Sequence, residues 1–240
     1  MTAAAIGALL AAAVVDPAVH ELRRDYVAIL VAADGLPGGP SDEQSDGWLR
    51  DAEATAAERL AGGAPEERPQ VALWRDAYRS FGAKPQRTRN SLEALLRQVP
   101  DGLPRINRLT DLYNAVSVLH EVPVGGEDLA WYVGAARLIR AAGTEPFETT
   151  VDGQTAIEHA EPSEVVWTDD AGVTCRRWNW RQCTRTRLSP ATTRALFIID
   201  ALGSEALATA TAAGEDLEQR LRALDEAVRT ARRVLVAPRI

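Results

Sequence analysis

Three side chains near the middle of the chain, Asn107, Asp111 and Asn114, have the types and the spacing of a binding site. In an α-helix, offsets of i, i+4 and i+7 place all three on one face. Their amides and carboxylate could bind an amino group, a ribose hydroxyl or a neighbouring loop. The alternative is structural: Asn107 would cap the start of the helix, and the other two would anchor loops by hydrogen bonds.

Two clusters of basic residues also have types suited to binding. Arginine binds phosphate through two parallel hydrogen bonds, and beside exposed aromatic rings it suits single-stranded RNA. A genome rich in G and C would also favour arginine, and Lys84 is the only lysine. The alternative for the interleaved Trp178 and Trp180 is burial in the core, with arginine stems covering apolar surface. The first cluster comprises Lys84, Arg87, Arg89, Arg97, Arg105 and Arg108, and the second Arg176, Arg177, Arg181, Arg185 and Arg187.

Composition and motifs limit the functional classes. The chain has 240 residues, 46% of them hydrophobic, and its net charge of −7 argues against a protein coated in positive potential. It contains no Gly-x-Ser-x-Gly elbow, P-loop or dinucleotide fingerprint. The three histidines, His20, His120 and His159, lie far apart, and the spacing of Cys175 and Cys183 fits no zinc or redox motif. We therefore expect no metal and no cofactor, and a structural role for the histidines.

The opening segment, MTAAAIGALLAAAVVD, is apolar, but it lacks a basic region before its apolar run. It is also too short to span a bilayer. The two cysteines, without motif spacing, are typical of a reducing compartment. We therefore expect a cytoplasmic protein that does not bind a membrane.

The elements that would position these residues are short and mixed. Asp25–Ala33 is β-branched and apolar, which predicts a buried strand. Asn90 and Glu93 have the spacing of a capping box at a helix start. Helices and strands alternate without a regular βαβ rhythm, which predicts an α+β fold. Helical patterns cover residues 46–61, 71–80, 107–121 and 217–228, and strands are predicted at residues 137–141, 165–168, 173–180 and 196–200.

The string LPRINRLTDLYNAVSVLHEVPVGGEDL, which begins at Leu103, resembles the B3/B4 domain of the phenylalanyl-tRNA synthetase beta subunit. In that domain a run of the form I-N-x-x-V-D-x-x-N-Y-V precedes a Pro and a nearby Asp. The matching residues here are Ile106, Asn107, Asp111, Asn114, Pro123 and Asp128. The later stretch EVVWTDDAGVTCRRWNWRQ resembles the strand pair that follows in the family. We expect a single B3/B4-like domain over residues 1–240, with a best-matching core at 70–202 and a C-terminal helical extension at 203–240.

The resemblance implies an activity and a partner. In the synthetase this domain hydrolyses wrongly charged aminoacyl-tRNA, so a freestanding copy would deacylate mischarged tRNA in trans. We place the substrate pocket among Asn107, Asp111, Asn114, Gly125, Gly126, Asn179 and Asp200. The contacts to the phosphates of the aminoacylated 3′ end are assigned to Arg87, Arg89, Arg177, Arg181 and Arg187. The sequence identifies no catalytic nucleophile or base.

One departure from the family pattern affects this pocket. The family has a His two residues after the Pro of the motif, where this chain has Gly125. The pocket would then be larger, take a different amino acid, or be inactive, and Gly125-Gly126 could offer backbone N–H groups to an oxyanion.

Two alternatives to the trans-editing hydrolase stay open. One is a non-catalytic module that binds tRNA or an amino acid, and the other is an enzyme that acts on a small amino-acid ester or amide. A contiguous positive face beside the pocket would favour tRNA. Arginines paired with Asp and Glu would favour the small substrate.

Overall fold

A four-stranded antiparallel sheet forms the centre of the fold, whose α+β class is as predicted. The computed structural model describes residues 3–238. In β2 the side chains alternate between two cores, with Ala28 and Leu30 on one face and Ile29 and Val31 on the other. Because both faces are covered, this strand is a nearly continuous apolar run. The strand order is β11 (Arg229–Val236), β2 (Val27–Asp34), β10 (Arg194–Ala201) and β3 (Val124–Asp128).

A second sheet packs against one face of the first. The two sheets share a core in which Trp167 and Leu138 contact the apolar side chains of β2 and β10. A separate hairpin turns at Asp152-Gly153, where both residues have positive φ, as a tight two-residue turn requires. The second sheet has the order β1 (Val14–Val15), β4 (Arg137–Arg140), β7 (Val165–Asp169), β8 (Gly172–Arg176) and β9 (Arg181–Gln182), and the hairpin consists of β5 (Pro146–Val151) and β6 (Gln154–His159).

Helices cover the opposite face of the central sheet. Leu112 and Val116 of α6 and Leu217 of α7 pack against the side chains that β2 and β10 present on that face. None of the helices within residues 3–238 has the length and apolar character that a membrane span requires. The helices are α1 (Ala3–Ala12), α2 (Pro17–Leu22), α3 (Glu43–Leu60), α4 (Pro69–Ser80), α5 (Ser91–Gln98), α6 (Arg108–His120) and α7 (Ala206–Leu224), with 3-10 turns at Pro65–Glu67 and Val99–Asp101.

Three local expectations need correction. The strand predicted to run to Trp180 ends at Arg176, because Arg177 and Trp178 have left-handed φ values of 47° and 68°. The expected helical extension over residues 203–240 is only partly helical, since α7 is followed by β11, an edge strand of the central sheet. The capping box is one-sided: Asn90 caps the backbone of Glu93, but the Glu93 carboxylate pairs with arginines instead.

Candidate functional site

A cavity of about 280 Å³ lies between helices α5 and α6 and the two sheets. The apolar part of its wall includes Trp167, Trp178 and Ile198. Ligand sites for small molecules begin at roughly 300 Å³, so the volume suits a ligand of amino-acid size. The polar and ionisable residues on the wall are Ser91, Gln98, Thr110, Tyr113, Asn114, Glu127, Cys175, Asn179, Gln182 and Asp200.

Asp200 is a buried carboxyl on β10 at this wall. The hydroxyl of Tyr26 donates to its Oδ1 at 2.5 Å, and the amide of Asn179 donates to its Oδ2 at 3.5 Å. Asn179 is itself held by the Tyr78 hydroxyl, which donates to its side-chain oxygen at 2.9 Å. No ion pair reaches Asp200 within the described residues, and burial raises its pKa to about 7. The predicted pocket residues Asn179 and Asp200 therefore do lie together.

Glu127 on β3 is a second buried carboxyl at the cavity wall, and it was not among the pocket residues predicted from the sequence. The hydroxyl of Thr186 and the amide of Gln182 both donate to its Oε2. Its pKa is raised to about 8, mainly because the carboxyl is buried. Strand alternation was the signal available in the sequence, since Gly125 and Glu127 are two residues apart and so share one face of the strand.

Of the three polar residues predicted to share one face of α6, Asn114 is the one that lines the cavity. The residue is only 6% exposed, and its side chain forms no hydrogen bond within the described residues. The amide is thus unpartnered within the described residues but open to the cavity, so it is available to a ligand there.

Asn107 and Asp111 lie off the cavity wall, which corrects their placement in the pocket. Asn107 caps α6: its Oδ1 accepts from Thr110 N at 3.0 Å, and its amide donates to the Leu188 carbonyl at 3.3 Å. Asp111 accepts from Ile106 N at 2.8 Å and from the Ser45 hydroxyl at 3.1 Å. These hydrogen bonds fix the start of α6 and hence the position of Asn114 two turns along.

The two neighbouring glycines face opposite directions. A Cβ added at Gly125 would meet nothing within 4 Å, and this residue lines the cavity. A Cβ added at Gly126 would lie 2.7 Å from Leu188 Cδ1 and 3.1 Å from the Tyr113 ring, off the cavity wall. The Gly126 carbonyl accepts from the amide of Gln182. Gly126 is therefore a close-packing residue, and only Gly125 widens the cavity.

The two tryptophans of the second basic cluster have different roles. Trp178 is fully buried and packs edge-on against Tyr26 and Trp74, with ring centroids 5.0 and 5.4 Å away. Trp180 lines the cavity and is half-buried, and the Arg177 guanidinium lies 4.6 Å from its ring centroid. A cation over a ring at this distance is stabilising. Both rings line the cavity, and Trp180 is the more exposed of the two.

Most arginines of the two clusters form ion pairs. Arg105 pairs with Asp46 and Glu53, Arg108 with Asp42, and Arg185 with Asp169. Arg97 and Arg176 also pair with glutamates. Among the residues predicted to bind phosphate, Arg89 and Arg177 lie 3.6 and 3.8 Å from carboxylates.

Arg87, Arg181 and Arg187 form no ion pair within the described part of the chain. Arg87 and Arg187 are exposed, and Arg181 donates to the Thr149 hydroxyl at 2.6 Å. Arg181 lies 6.0 Å from the Trp180 ring centroid, and Arg187 is bridged through its backbone to Glu127. Arg181 and Arg187, which form no ion pair in the described part of the chain, therefore adjoin residues of the cavity wall.

The histidines and cysteines form no further site in the described residues. His120 contacts Asp216 at 3.0 Å and does not line the cavity, and His20 is buried. Cys175 and Cys183 are free thiols, and burial raises the pKa of both. Within residues 3–238, no group of three His, Cys, Asp or Glu residues could hold a metal ion.

Comparison with known proteins gives one family match. A family model described as the B3/4 domain matches residues 73–231. No curated protein matches the chain.

Among solved structures, the chain is similar to an N-terminal fragment of the phenylalanyl-tRNA synthetase beta-subunit from Pyrococcus horikoshii. The identity is 12% and the TM-score 0.40, and the match covers 93% of this chain. The chain spans about half of that fragment, at 50% of its length.

Proposed function

The chain belongs to the B3/4 domain family, and from this premise we propose that it is a cytoplasmic hydrolase that removes the amino acid from mischarged tRNA in trans. The observation that carries the proposal is the cavity of about 280 Å³ with two buried carboxyls, Glu127 and Asp200, on its wall. Neither carboxyl forms an ion pair within the described residues, so the cavity suits a ligand that brings its own positive charge. The α-ammonium group of an aminoacyl ester is such a charge.

Different residues of the cavity wall would bind different parts of the aminoacyl group. Asp200, held by Tyr26 and Asn179, would accept hydrogen bonds from the ammonium group. That positive charge would lower the pKa of the carboxyl and favour its ionised form. Trp167 and Ile198 would contact the amino-acid side chain, while the free amide of Asn114 would bind the ester carbonyl or the ribose.

The hydrolysis itself makes few demands on the protein. An aminoacyl ester is activated, so a cavity that holds a water against its carbonyl supplies much of the required acceleration by orientation. Arg181 and Arg187 adjoin the wall and would pair with phosphates of the acceptor end.

Deacylation of a panel of aminoacyl-tRNAs, correctly and wrongly charged, tests the proposal. We expect hydrolysis of at least one wrongly charged species, and loss of that hydrolysis in Asn114→Ala. Gln219→Ala is the matched control, because Gln219 is an exposed amide on α7. If the wild-type protein hydrolyses no member of the panel, the proposal is refuted.

A second candidate is a protein that binds or hydrolyses a small amino-acid ester or amide. The ion pairs of Arg97, Arg105, Arg108, Arg176 and Arg185 favour it, because paired guanidinium groups are less available to phosphate. Hydrolysis of amino-acid methyl esters and thermal shifts with free amino acids distinguish the two. Turnover of a methyl ester without any tRNA binding would favour the small substrate.

A further inference from the structure

Glu127 and Gly125 line the same cavity from the same strand face. The absence of a side chain at Gly125 leaves open space beside it, since an added Cβ would meet no atom within 4 Å. A ligand or water in the cavity can therefore approach β3 closely at this point. The ionisable group next along that face is the carboxyl of Glu127.

The hydrogen bonds of Glu127 occupy only one of its oxygens. Thr186 and Gln182 both donate to Oε2, and no hydrogen bond to Oε1 exists within the described residues. Glu127 lines the cavity and is only 3% exposed, so this unpartnered oxygen is available to a molecule held in the cavity. Its two hydrogen bonds also restrain the carboxyl, which is what a group that transfers a proton in a defined direction requires.

We propose that Glu127 is a catalytic residue that transfers the proton during hydrolysis of the ester, an inference that rests on the proposed function. The carboxylate takes a proton from the water as the water oxygen bonds to the ester carbonyl carbon. The carboxyl then returns that proton to the ribose oxygen as the carbon–oxygen ester bond breaks. The products are the free amino acid and the ribose hydroxyl, and Glu127 is again a carboxylate.

The surroundings of Glu127 determine how its action depends on pH. Burial raises the pKa of Glu127 to about 8, and repulsion from Asp169 raises it too. The two hydrogen bonds and the charge of Arg185 lower this pKa. The other titratable groups that interact with it are Tyr113, Tyr132, Cys175 and Cys183. At neutral pH only about a tenth of the free protein then carries the carboxylate. The rate constant should rise with pH up to this pKa, which a bound ammonium group would lower.

Single-turnover deacylation of the hydrolysed aminoacyl-tRNA, between about pH 6 and pH 9, tests the assignment. For Glu127→Gln we expect a rate constant lower by about 100-fold to 10,000-fold and a profile without the wild-type inflection, after subtraction of uncatalysed hydrolysis. Glu226→Gln, an exposed carboxyl beyond α7, is the matched control and should keep the wild-type profile. Retention of both the rate and the inflection in Glu127→Gln would overturn the assignment.

A second variant covers the case in which Glu127→Gln fails to fold. Thr186→Val removes one donor to the carboxyl, which should raise its pKa and move the inflection to higher pH. An unmoved inflection in Thr186→Val contradicts the role of Glu127. Failure of the proposed function gives a different result, because the wild-type protein would then hydrolyse no aminoacyl-tRNA at any pH. That result would also refute the role of Glu127.

Discussion

Replacing Asp200 by Asn should reduce the pH dependence of the free energy of unfolding. Asp200 binds its proton more tightly in the folded protein than in the unfolded chain, because burial raises its pKa from 3.8 to about 7. Between these two values the folded state holds the extra proton, so stability falls as pH rises. The contribution is fully present below the unfolded pKa and is lost as pH rises through the folded pKa.

The magnitude follows from the size of the shift. A group that is protonated only in the folded state changes the unfolding free energy by about −1.4 kcal/mol for each pH unit. Glu127, with a pKa raised to about 8, contributes a parallel slope. From about pH 5 to pH 6.5 the two carboxyls together should lower the free energy of unfolding by about 4 kcal/mol. In Asp200→Asn this decrease should be smaller by about 2 kcal/mol. His20, whose pKa burial lowers, opposes this slope equally in the wild type and the variant.

Urea unfolding at several pH values measures these slopes directly. Asn is nearly isosteric with Asp and still offers an oxygen to the Tyr26 hydroxyl, so the variant should fold. The slope of Asp200→Asn should be shallower than that of the wild type by about 1.4 kcal/mol per pH unit, and Glu127→Gln should give a similar reduction. A slope in Asp200→Asn equal to that of the wild type would refute the inference that Asp200 is protonated when buried.

Four further variants have expected outcomes. Asn114→Ala should abolish deacylation while leaving the urea midpoint nearly unchanged, because its amide has no hydrogen bond to lose; a large loss of stability would assign it a structural role. Gly126→Ala should cost about 1–3 kcal/mol in urea unfolding through overpacking against Leu188 and Tyr113. Gly125→Ala has open space at its Cβ and should lower the free energy of unfolding less than Gly126→Ala does. Equal decreases would contradict the inference that the two glycines face opposite directions. The double replacement of Arg181 and Arg187 by Ala should weaken tRNA binding and reduce its salt dependence, and unchanged affinity across salt would exclude both from the interface.

Local patterns in the sequence were enough to predict one helix of the cavity wall and one inner strand of the central sheet. The cap by Asn107 and the apolar stripe predicted α6 within about two residues, because both act over a single turn of helix. The β-branched run predicted β2, because a strand buried on both faces needs no polar alternation. Arg229–Val236 was missed, because a short run of this kind becomes a strand only by pairing with β2, almost 200 residues earlier in the chain.

The sequence by itself determined the α+β class, the resemblance to the B3/B4 family and the candidate residues Asn114, Asn179 and Asp200. Only the tertiary structure decided which candidates face the cavity, since Asn107 and Asp111 are occupied by Leu188 and Ser45, distant in the chain. It also decided that most arginines of the two clusters are paired and that burial raises the pKa of Glu127 to about 8. The physical reason is that hydrogen-bond partners, ion pairs and burial depend on segments that meet only in the folded chain, whereas helix caps and apolar periodicity act between near neighbours.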